Sequence, residues 1–151
     1  METQSPKTKS LISGPITPDR LAELMAKHQS ETGTGAHCVF LGQIRADRAG
    51  EHAVVSITYS AYEAMAEQVI RDIRAAALAK FPDLHAVHIY HSLGNVKVGE
   101  ASILVTVSSA HRKPVFSSLE WIVDECKHRL PIWKQEHLND GSHRWVGEKP
   151  G

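Results

Sequence analysis

The sequence predicts an α+β fold, mostly antiparallel strands with three helices, and three observations carry that prediction. The chain is 151 residues long, the size of one ordinary domain. Its apolar patterning reads in the order α-ββ-α-ββ-α-ββ, so helices do not separate every pair of strands as they would in a parallel sheet. Prolines 18, 82, 114 and 131 fall at the expected helix boundaries.

Residues 1–14 are polar and are expected to form a loose tail, with one domain over 15–151. The first helix starts at Thr17, Pro18 and Asp19: a capping hydroxyl, a proline in the first turn and an early acid. Leu21, Leu24, Met25 and His28 continue it at three-and-four spacing. GAHCVFLGQIR (35–45) reads as a strand apolar on both faces, hence largely buried. ADRAGEH is a polar loop, and AVVSITYSAY a second strand expected to form a hairpin with the first. Tyr62, Met65, Ala66, Val69, Ile73, Ala76 and Ala77 trace the inner face of a long helix that Pro82 ends.

LHAVHIYHSLG reads as a strand, VKVGE as a turn and ASILVTVSSA as another strand. The helix that begins near Pro114 buries Val115, Phe116, Leu119, Ile122, Val123 and Cys126, and ends at Pro131. IWKQE and HRWV are short strands joined by NDGS.

Composition narrows the function. Formal net charge is zero, so no global field draws the chain to nucleic acid or membrane, and any basic site is local. No basic stripe interleaves with aromatics, as a nucleic-acid groove requires. The start METQSPKTKS lacks the apolar run of a secretory signal, and no apolar stretch approaches membrane-spanning length. The expected compartment is the cytoplasm, with reduced thiols. Cys38 and Cys126 form no CxxC or zinc-ligand spacing and read as small core hydrophobes. Ten histidines raise the question of a metal. His85, His88 and His91 would share one face of a helix, but their Val, Ile and Tyr neighbours indicate a strand. There His88 faces opposite to the other two, so one ion does not meet all three. No metal site is expected.

The basic residues are more informative. SSAHRKP (108–114) puts His111, Arg112 and Lys113 where a strand hands over to a helix. Free amides at a helix N-terminus, together with Arg and His, make an anion site; the competing reading is a solvated charged turn. Arg45 ends the first strand, Lys127 lies near the end of the last helix and Lys134 in the following strand. Taken singly, the two lysines read as surface residues. Sharing a pocket, they lower the pKa of at least one, and a lysine so placed acts as base, nucleophile or oxyanion stabiliser. Trp133 and Trp145 either line such a pocket or anchor the core.

GAHCVFLGQIR, SAHRKPVF, KHRLPIWKQE and the closing HRWV resemble the large, catalytic subunit of molybdopterin synthase over about residues 15–147. The resemblance implies an α/β-hammerhead fold and a homodimer within a heterotetramer. Each subunit would bind a small ubiquitin-like sulfur carrier whose C-terminal Gly-Gly bears a thiocarboxylate. That tail would donate sulfur to cyclic pyranopterin monophosphate, and two transfers would make the dithiolene of molybdopterin, a sulfurtransferase step in molybdenum cofactor biosynthesis that needs no metal or other cofactor. By position, the resemblance assigns Lys127 as the principal catalytic lysine and Lys134 as the second. It assigns Gln43, Ile44, Arg45, His111, Arg112, Gln135, Glu136 and Arg144 to substrate binding. The competing expectation is a non-catalytic adaptor that docks the tail of a ubiquitin-like protein.

Overall fold

The computed structural model describes residues 9–146. In chain order the elements are β1 (Leu11–Ser13), α1 (Pro18–His28), β2 (Ala36–Gln43), β3 (Arg48–Ala49), β4 (His52–Ala61) and α2 (Glu63–Lys80). There follow β5 (Leu84–Lys97), β6 (Ala101–Ser109), α3 (Lys113–Arg129), β7 (Ile132–Leu138) and β8 (His143–Trp145). The strands form one sheet in the order β2-β6-β5-β4-β7-β8, with β1 beside β5 and β3 beside β4. Every pairing is antiparallel except that of β1 with β5. The α+β arrangement with three helices is the predicted one.

Strand alternation explains where the core lies. Val87, Ile89, Val105 and Val107 point to one face, where α2 and α3 deliver Ile73, Ala77, Val115, Ile122 and Cys126. Tyr90 and Leu104 point to the other, under Leu24 of α1. Helices on both faces leave every residue of β6 buried. Ile73, Ile122, Val87, Val105 and Val107 are all fully buried; each contributes about 1.5–3 kcal/mol of transfer free energy.

The structure corrects several sequence expectations. Residues 11–13 are not tail: they pair with His91, Ser92 and Leu93, and the Glu67 carboxylate accepts the Ser10 and Leu11 N–H groups at 3.0 and 2.8 Å. A three-residue strand is too short to announce itself, and its anchor lies 56 positions away. The rest of the expected tail, 1–8, lies outside the described residues. Strand β2 is half-buried rather than buried: it is the last strand of the sheet, so His37, Val39, Leu41 and Gln43 face outwards while α3 covers their alternates. It does not form a hairpin with β4. It pairs with β6, and the loop after it holds β3, which makes its own hairpin with β4. Tyr62, Met65 and Phe116, expected on buried stripes, are exposed at or within the opening turn of their helices.

Candidate active site

The cationic residues form two groups at opposite ends of α3. One group centres on Lys134. In β7 its Cα partner is Tyr59 of β4, and cross-strand partners share a face of the sheet. Tyr59 is buried with Ile44 and Val96 and donates its hydroxyl to Ser102 Oγ at 3.1 Å. His91 packs edge-on against Tyr59, ring centroids 5.0 Å apart, and donates Nδ1–H to the Ser92 carbonyl at 2.8 Å. Tyr59 and His91 are thus a rigid floor beneath a half-buried ammonium.

Charge sets the chemistry of this group. Burial lowers the Lys134 pKa, and the Lys127 and Arg45 cations lower it further against the pull of Glu136. Burial likewise pushes His91 down to about 4, helped by Lys134 and Lys127, so this ring is neutral at pH 7. Lys127 itself is exposed in the last turn of α3, next to buried Cys126. Arg45 follows buried Ile44 and reaches Asp47 at 3.1 Å with most of its side chain in water. Glu136 is held by Arg144 of β8 at 2.9 Å, and Gln135 neighbours it on the same strand. A lysine of lowered pKa beside further cations suits an anionic ligand and gives up its proton more readily than a free lysine. Cys126 offers no competing thiolate, since burial pushes its thiol up to about 12.

The second group is His111, Arg112 and Lys113, all exposed, lining a cleft of about 530 Å³ with Gly35, Ala36 and Ala110. Helix α3 opens here with no acidic residue in its first turn and no side-chain cap, so no carboxylate of that turn offsets the positive end of its dipole, although Pro114 has no N–H and the Val115 N–H is taken by the Arg112 carbonyl at 3.2 Å. Gly35 has a steric role, because a Cβ there would run into the Ala110 carbonyl oxygen.

The structure therefore brings together Lys127, Lys134 and Arg45, with Ile44 packed on the Tyr59 floor and Gln135, Glu136 and Arg144 along β7 and β8. Gln43 is exposed at the end of β2, just before Ile44. His111 and Arg112 are not part of that group within one chain: fifteen helical rises separate Arg112 from Lys127, about 22 Å. Tyr59 and His91 escaped the sequence reading because their relation to Lys134 runs across three strands. Among the described residues, no group of three or more His, Cys, Asp or Glu side chains is placed to hold a metal ion.

Fold and site together define a class: a three-helix α+β protein with a half-buried lysine set among further cations. The family model described as MoaE protein matches residues 11–129, and the chain belongs to that family. A molybdopterin synthase catalytic subunit from Nostoc sp. is 36% identical over 144 residues, covering 95% of this chain and 86% of the relative. The protein of that name from Pyrococcus abyssi is 41% identical over 117 residues, covering 78% and 77%. Among solved structures, molybdopterin synthase from Staphylococcus aureus superposes with a TM-score of 0.80 at 28% identity, over 93% of this chain and 98% of that one. A Helicobacter pylori complex of subunits 1 and 2 of molybdopterin-converting factor shares the fold, with a TM-score of 0.78 at 24% identity over 93% and 90%.

Proposed function

We propose that this chain is the catalytic subunit of a molybdopterin synthase, working in the cytoplasm in molybdenum cofactor biosynthesis. It takes sulfur from the C-terminal thiocarboxylate of a small ubiquitin-like partner and delivers it to cyclic pyranopterin monophosphate. The observation that carries this reading is the half-buried Lys134 with its pKa lowered by burial and by the neighbouring Lys127 and Arg45. Both ligands are anionic, one a phosphate and the other a thiocarboxylate, which accounts for more positive groups than a single anion requires. Sulfur bonds to the pterin carbon and water takes its place on the acyl carbon, leaving the partner's tail as a carboxylate; Lys127, exposed at the helix end, meets that carbonyl carbon, and its ammonium stabilises the oxyanion that develops there. Lys134 assists, and Arg45 grips phosphate.

A second copy of the chain supplies the rest of the phosphate grip. The outer edge of β2 has no strand partner among the described residues. Its start lies beside the His111 cleft, and its end leads into Ile44 and Arg45. Two β2 edges set antiparallel about a two-fold axis would put His111 and Arg112 of one chain beside Lys127 of the other. Such a homodimer holds two complete sites and, with one sulfur carrier on each, makes a heterotetramer.

The test is single-turnover sulfur transfer with the thiocarboxylated partner and the pterin substrate. Lys127→Ala is expected to abolish dithiolene formation while leaving fold and partner binding intact. A near-normal rate removes Lys127 from the reaction, and partner binding by the wild-type chain with no dithiolene formed selects the adaptor reading instead.

A further inference from the structure

Four of the ten histidines gather on the sheet face that α1 covers, away from the lysine group; His85 joins His88 there, against the strict alternation expected from the sequence, because the register of β5 shifts between Leu84 and Ala86. His28 closes α1 and is buried. Its Nδ1 lies 2.8 Å from Glu31 Oε2 and its Nε2 lies 2.9 Å from Nε2 of His88 on β5. His37 of β2 stands with its ring centroid 5.3 Å from that of His28 and is engaged through Nδ1 with Ser108 Oγ, while His85 meets Thr34 Oγ1 at 2.9 Å.

The His28–His88 contact restricts the protons it can hold. With both rings neutral, His28 donates Nδ1–H to Glu31 and accepts at Nε2 from the Nε2–H of His88. One added proton is accommodated: the His28 imidazolium donates at both nitrogens, and His88 accepts. A second proton sets two N–H groups and two positive charges against each other at 2.9 Å. The surroundings offer little relief. Lys27 of α1 and Arg74 of α2 are cations, Glu31 supplies the opposing charge near His88, and β6 presents the uncharged Ser108 and Thr106.

Helix α1 is held to the sheet by side chains rather than by backbone pairing. Its flanks are pinned, Ile16 N–H to the Ala101 carbonyl at 2.9 Å and Gly35 N–H to the Ser109 carbonyl at 3.0 Å. The described backbone hydrogen bonds of residues 17–34 are local, so side chains hold the helix down: Leu24 with Leu21 and Met25 on Tyr90 and Leu104, Arg20 over the Tyr90 ring, and His28 on His88. Opposite His88 on β6, the Thr106 hydroxyl is buried without a hydrogen-bond partner, and opening α1 would hydrate it.

We propose that the His28–His88 contact is an acid-released latch that holds α1 on the sheet. Burial, His28, Arg74 and Lys27 push His88 down to about 4 against Glu31, so the latch is closed at neutral pH. Displacing α1 removes the ring that keeps His88 from taking a proton, and acid therefore favours the open form.

Amide hydrogen exchange between pH 7 and 4.5, corrected for intrinsic rates, tests this. The opening constant of residues 18–28 is expected to rise by up to about tenfold per pH unit, while amides of β5 and β6 stay protected. His88→Gln keeps a neutral polar side chain that does not titrate, and is expected to flatten the pH dependence. Imidazole ¹⁵N spectra of the wild type give a second reading that needs no variant: with α1 closed, at least one ring of the pair stays neutral. Protection of α1 that is independent of pH overturns the proposal. So does an unchanged pH slope in His88→Gln, or a doubly protonated pair under a closed helix.

Discussion

His91 gives the account a quantitative handle on the floor of the lysine group. Its ring is buried at 7% exposure, and burial together with Lys134 and Lys127 pushes its pKa from 6.5 down to about 4. In the unfolded chain the ring takes a proton near 6.5, while in the folded chain it stays neutral until about 4. Between those values the unfolded state binds more protons, so stability falls as pH falls through that window. For this one residue the loss is on the order of 2 kcal/mol at pH 5 and about 3 kcal/mol at pH 4, from 1.36 kcal/mol per pK unit. Glu31, whose carboxyl is held below its usual 4.5 by the hydrogen bond from His28, adds acid sensitivity only further down. Urea unfolding at pH 7 and pH 5 isolates the histidine contribution. His91→Asn keeps a donor for the Ser92 carbonyl and loses the titration, so between the two pH values wild type is expected to lose about 2 kcal/mol more than the variant. The cavity left by Asn lowers stability at both pH values and cancels in that difference. An equal loss in both proteins would mean that His91 is not held neutral beneath the lysines.

Arg112→Ala is expected to raise the substrate dissociation constant roughly tenfold or more, since a charge-assisted contact is worth about 1.5–3 kcal/mol; calorimetry showing an unchanged constant removes Arg112 from phosphate binding. Glu67→Ala strips the acceptor from the Ser10 and Leu11 N–H groups. Amides of β1 should then exchange at least tenfold faster, because hydrogen bonds to a charged acceptor contribute about 1.5–3 kcal/mol, and unaltered protection would show that β1 is held by its pairing with β5 alone.

Periodicity made most of the fold legible. Helix α1 announces itself through Pro18 and Asp19, although the Thr17 hydroxyl makes no capping hydrogen bond, α3 through Pro114 and the stripe ending at Cys126, and β7–β8 through NDGS. What periodicity does not carry is which strand lies beside which. Residues 35–45 look buried because Ala36, Cys38, Val39, Phe40 and Leu41 are all apolar. Only the sheet order reveals that Val39 and Leu41 lie on an uncovered face at the edge. Likewise β1 is invisible without Glu67, and the coupling of Tyr59 and His91 to Lys134 exists only once β4 sits between β5 and β7. For the site, residue types at element ends pointed to Arg45, Lys127 and Lys134 as possible cleft residues, and the family resemblance gave them roles. The length of α3 is what divides them from His111 and Arg112 in a single chain.

That division points to the most direct measurement. Lys127→Ala and Arg112→Ala chains, each made separately, are mixed, unfolded and refolded together, and assayed for dithiolene formation with the thiocarboxylated partner at limiting pterin substrate. If a site draws Lys127 from one chain and Arg112 from the other, mixed dimers hold one intact site and one doubly deficient site. Random re-pairing then restores roughly a quarter of wild-type activity, well above the average of the two separate variants. A mixture no more active than that average, with subunit exchange verified by mass, would contradict a shared cationic site.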